Sequence, residues 1–172
     1  MMKKTLVSLA AALTFSSSAF GISRIGNALI GSDYSGFETV LPEFFVAEDP
    51  VKPTPNIDVP LLLRTDTNSG DPEELLIMSF KQFAPFTWVN DKNESEEKLS
   101  MLAPGFDWQE IKSIECCPRL FLGRKDKVLL GVGIWGPRRG VVFKGANQPL
   151  TELGVRQMLE ELTLRQGACL WR

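Results

Sequence analysis

There is no histidine in these 172 residues. That absence excludes Ser–His–Asp and Cys–His catalysis, imidazole-bound metals and histidine-based pH switching. Cysteine is scarce as well, with Cys116, Cys117 and Cys169 the whole supply. They form no C-x-x-C motif, and two neighbouring thiols are too few ligands for a zinc site without imidazole. Positive charge is not in excess: 19 Lys and Arg stand against 21 Asp and Glu, a formal net charge of −2. A nucleic-acid binder needs a concentrated basic face to displace counterions, so nucleic acid is not an expected partner. No apolar run approaches the roughly twenty residues that span a bilayer, so no membrane span is expected in the mature chain.

An enzyme built from this composition would have to work with carboxylates, lysine, thiol or backbone donors. Acidic neighbours such as Glu160–Glu161 and Asp107–Glu110 do not supply two groups held apart in a cleft with separated pKa values. No catalytic residue, metal ligand or cofactor is therefore assigned. "GVGIWG", with Gly131, Gly133 and Gly136, matches G-x-G-x-x-G by letters alone. The dinucleotide fingerprint ends a strand and opens a helix, whereas this run continues through a strand into "PRRGVVF". It reads as a strand with glycines for close packing. "DTNSGDPEE" (Asp66 to Glu74) gathers oxygen ligands in one loop, but Gly70 falls one position short of the calcium-loop glycine. An ordinary turn is the better reading.

What is present is clearest at the chain start. Lys3 and Lys4 precede the uncharged, mainly apolar "TLVSLAAALTF", and "SSSAFG" follows with small residues. Positive, apolar, then small is the order of a secretory signal peptide. Residues 1–21 are read as that leader, and the mature chain is expected in the periplasm or outside the cell. Removing Lys3 and Lys4 leaves about 150 residues with four more acids than bases, enough for one ordinary domain with a real core.

Residues 22–56 read as an N-terminal arm followed by a connector. Within "AEDPVKPTPN", Pro50, Pro53 and Pro55 fix an extended backbone. Residues 57–172 form the main domain. "VPLLLRT" is a strand, and "EELLIMSFKQF" places Leu76, Met78 and Phe80 at period two, the mark of a strand with one buried face. "NDKNESEEKLSML" suits a short surface helix. "KVLLGVGIW" puts Val128, Leu130, Val132 and Ile134 on one face and Leu129, Gly131, Gly133 and Trp135 on the other. With the turn "GPRRG" and the return "VVFKG" it makes a β-hairpin over residues 127–145.

"PLTELGVRQMLEELTLRQG" is the longest helical pattern. Thr151 is placed to cap it, Val155, Met158, Leu159 and Leu162 form its stripe, and Gly167 stands where a C-terminal glycine belongs. The helix is expected over residues 151–166, lying on the Gly131 and Gly133 trough, with "ACLWR" as a last strand. The fold class follows: α+β, a mainly antiparallel β-sheet with one long C-terminal helix packed on one face and an N-terminal arm.

On a strand Cys116 and Cys117 point to opposite faces, so both cannot meet Cys169. In an exported chain the expectation is one disulfide to Cys169. Cys116, on the Ile114 and Leu120 face, is expected to be the bonded partner, with Cys117 the odd thiol. Trp135, Arg138 and Arg139 cluster at one hairpin end, and Trp and Arg are enriched at binding hot spots. They are the predicted contact residues of an exported, soluble, non-catalytic binding or accessory module for an unknown protein or small ligand. The alternative is a thiol-dependent redox enzyme or sensor using Cys117.

Overall fold

The structure, a computed structural model, describes residues 22–31, 36–47, 60–66, 70–79, 94–111, 117–137 and 139–171. The expected leader at 1–21, nearly all of the proline-rich connector, Phe80, Cys116 and Arg138 lie outside the described residues.

The chain is α+β. In order it forms β1 (Ser23–Ile25), β2 (Ala28–Ile30), β3 (Phe37–Val40), β4 (Phe45–Ala47), β5 (Leu61–Thr65), β6 (Glu74–Ser79) and α1 (Ser95–Leu102). Then come β7 (Asp107–Ile111), β8 (Arg119–Lys125), β9 (Val128–Gly136), β10 (Arg139–Ala146), α2 (Pro149–Glu160) and β11 (Thr163–Leu164). A seven-stranded sheet has the order β4-β5-β6-β10-β9-β8-β7, and a four-stranded one the order β1-β2-β3-β11. Every pairing among the described residues is antiparallel. The segment ahead of the connector gives three strands to the smaller sheet and β4 to the larger. Among the described residues no helix is long and apolar enough to cross a membrane.

The β9–β10 hairpin is the centre of the large sheet, and both of its faces are buried. Leu129, Trp135, Val141 and Phe143 join a core with Leu75 and Ile77 of β6, Val155, Met158 and Leu159 of α2, and Leu29 and Phe37 of the smaller sheet. On the opposite face Leu130, Val132, Ile134, Val142 and Phe121 pack with Leu99 and Ala103 at α1. A sheet covered on both sides tolerates apolar residues at every position, which is why these strands read as nearly continuous hydrophobic runs. In β6 the burial is likewise two-sided: Met78 of the expected face is buried and Leu76 half-exposed, while Leu75 and Ile77 on the other face are fully buried.

Helix α2 begins at Pro149, with Gln148 rather than Thr151 as its N-cap, because proline suits the first helical position, where its missing N–H has no partner to lose. The cap bonds come from far along the chain. Glu73 accepts from the Thr151 backbone N–H at 2.7 Å and from its hydroxyl at 2.6 Å, setting a carboxylate against the positive end of the helix. Also in the first turn, Glu152 forms a two-bond ion pair with Arg124 of β8, one arm at 3.0 Å. At the far end the Thr39 hydroxyl donates to the Met158 carbonyl. A Cβ at Gly131 would collide with Val155, so the helix and β9 approach through that glycine. At Gly133 the nearest atoms belong instead to Trp135, Leu120 and Val141, at 3.3–3.4 Å.

The helix ends at Glu160, short of the expected residue 166. Thr163 and Leu164 instead pair with Glu38 and Phe37 as β11. Gly167, at φ +78°, lies in a turn beyond β11 rather than closing the helix. Residues 168–171 form no strand; the Leu170 N–H donates to the Trp135 carbonyl at 2.8 Å. There Cys169 is bonded to Cys117, with the two Cα atoms 6.4 Å apart. This corrects the expected Cys116 partner. Strand β8 begins only at Arg119, after Pro118, which has no N–H for a ladder, so alternation cannot be counted back to the cysteines.

Candidate functional site

Of the sequence-predicted contact residues, the structure describes Trp135 and Arg139. Trp135 is fully buried, its ring 5.8 Å from that of Phe37. Its position shares a face with Leu129, Gly131 and Gly133, the face covered by α2 and the smaller sheet, so the indole fills the core and offers no surface to a partner. Arg139 is half-buried and engaged in contacts of its own, and Arg138 lies outside the described residues. Cys117 holds Cys169 and is no free thiol.

A concave site lies instead on the opposite face of the large sheet, near its β5–β6 side. Register builds its floor. Leu62 of β5 stands beside Leu76 of β6, Leu76 beside Lys144 of β10, and Ala146 of β10 beside Val128 of β9. Further along the same face α1 closes the core over Met78, Leu130 and Val142. At this end Leu62, Leu76, Val128 and Ala146 stay half-exposed, and a groove of about 660 Å³ opens above them. That volume lies within the range of small-molecule sites, about 300–1,000 Å³.

The loop ahead of β6 forms the rim. Gly70 turns the chain at φ +112°, a backbone conformation that favours glycine, and Asp71, Pro72, Glu73 and Glu74 then line the groove. Three carboxylates thus face one ammonium, that of Lys144. They are not equivalent. Glu73 is committed to the first turn of α2, and its own N–H donates to the Thr65 hydroxyl at 2.8 Å. Glu74 pairs with Arg64 at 2.9 Å, both side chains about half exposed. Asp71 and Lys144 are exposed and have no ion-pair partner among the described residues. Among the described residues no group of three or more cysteines and carboxylates is arranged to hold a metal ion.

The other charged constellation is structural. Arg124, Glu152 and Arg156 join β8 to α2, with Arg156 3.5 Å from Glu152. The hydrogen bond from Arg124 holds the Glu152 carboxyl below its ordinary range, against the opposing effect of burial. The same bond raises the guanidinium of Arg124. Neither group lines the groove.

The oxygen-rich loop is legible in the sequence, but the floor beneath it is harder to see. The available signal was parity. Leu61 and Leu63 take the buried face of β5, which leaves Leu62 as an apolar residue where a solvated strand face would carry a polar one. Leu76 repeats the pattern on the neighbouring strand. No protein-family model matches this sequence, and no curated protein does.

Proposed function

We propose that the chain is a non-catalytic binding module, exported by way of its first 21 residues, which are then removed, and that the β5–β6 groove is its ligand site. The observation that carries this reading is the half-exposed apolar floor of Leu62, Leu76 and Val128 under a charged rim. Concave, mostly apolar ground with a few polar groups at its edge is how small-molecule sites are built. Export is supported by the order of the chain start and by the Cys117–Cys169 bond, since disulfides persist in oxidising compartments. With Cys117 so bonded, thiol chemistry at that residue is not retained.

A neutral fluorescent probe, N-phenylnaphthylamine, tests the site. The folded protein is expected to bind it with a rise in emission, and Leu76→Gln to weaken that binding about fivefold to tenfold, as expected for losing part of a leucine's apolar contact. The variant's circular dichroism should be unchanged. No emission change with the wild-type protein, or equal binding by the folded variant, would overturn the assignment.

A further inference from the structure

We propose that the groove selects a small primary alkylammonium ion, its chain lying over Leu62 and Leu76 and its charge at the Asp71 side of the rim. This deepens the groove reading above and rests on it. The argument is charge complementarity over an apolar floor. Three of the four ionisable residues lining the groove are acidic. Of these, Glu73 is held by the helix and Glu74 by Arg64, which leaves Asp71 as the exposed carboxylate without a counter-ion among the described residues. An anionic head group would gain from Lys144 alone and meet repulsion from Asp71, beside two further carboxylates already engaged elsewhere. An ammonium gains from Asp71 and meets repulsion from Lys144 alone, whose flexible stem can swing its charge into water. The floor crosses β5, β6, β10 and β9, three strand spacings or roughly 14 Å, which suits an extended alkyl chain.

Displacement of N-phenylnaphthylamine by matched eight-carbon ligands separates the possibilities. Octylammonium is expected to displace the probe at about threefold to fivefold lower concentration than octanol, the range of one exposed ion pair. Octanoate should be the weakest of the three, and added salt should erase the order, because exposed charges are screened. Asp71→Asn should remove most of the ammonium preference, and Lys144→Gln should enlarge it. If octanoate matches or exceeds octylammonium, or if Asp71→Asn leaves the preference intact, the amine assignment falls while the groove remains a binding site. If a blocked lysine peptide competes better than octylammonium, the occupant is a peptide and the small-amine assignment falls as well. Failure of the wild-type protein to bind the neutral probe takes down both readings.

Discussion

Gly131 and Gly133 are two residues apart on one strand face and have different tasks. At Gly131 an added methyl runs into Val155, with Leu159 and Phe143 close behind at 3.2 and 3.3 Å. At Gly133 the nearest side-chain atoms stand at 3.3–3.4 Å, where small shifts relieve the contact. Gly131→Ala is therefore expected to cost about 1–3 kcal/mol, the usual penalty for overpacking a core, and Gly133→Ala distinctly less. Urea denaturation should show a lower midpoint with an unchanged slope for Gly131→Ala, and equal midpoints for the two variants would contradict this account. Both glycines were legible as a packing device, because their period placed them on one face. That the helix rests on one of them only was not legible, since Trp135, from the same strand, comes up against the other. Trp135 likewise turns inward against Phe37. A tryptophan beside two arginines resembles a contact site until strand parity and the covering sheet are both known.

At the level of elements, α2 shows what periodicity can and cannot deliver. Val155, Met158, Leu159 and Leu162 are all buried, as the stripe requires, yet Leu162 lies past the last helical turn. The stripe identifies which residues face inward. It does not identify where β3 captures the chain, because the pairing of Thr163 and Leu164 with Glu38 and Phe37 joins residues over a hundred positions apart. The cap is equally remote, since Glu73 lies 78 residues from Thr151. The ion pair between Arg124 and Glu152 gives this helix a pH signature. The Glu152 carboxyl is held below its ordinary value of about 4.5, so its contribution is complete above that value and is lost as the pH falls below it towards the lowered folded value. Glu152→Gln should therefore destabilise the protein at pH 7, by about 1 kcal/mol, and the gap to wild type should close on acidification. Parallel urea titrations at neutral and acidic pH measure it; a gap that stays constant would show that the carboxylate is not the source.

For the molecule as a whole, the α+β class and the antiparallel hairpin at its centre followed from alternation and turn residues. The two-sided covering of the sheet did not, because a continuous apolar run looks the same whether one partner or two lie on it. The bond between Cys117 and Cys169 closes a loop of 52 residues and fastens the chain end beside Trp135. Non-reducing peptide mapping of the protein, with free thiols labelled first, should find that bond and label Cys116; under the proposed export it should also recover no peptide from residues 1–21. Cys169→Ser should cost about 2–4 kcal/mol, mainly by releasing the unfolded chain from the loop. Three labelled thiols would remove the staple and reopen the question of the cysteines' role.

Glu73 belongs to the groove and to the helix at once. Heritable change at that position is therefore pleiotropic: a substitution that altered the rim would also uncap α2, and selection would meet the two effects together. Asp71 and Lys144 carry no such second duty among the described residues, so under the proposed binding role they are the positions through which related chains could diverge in ligand choice while keeping the same scaffold.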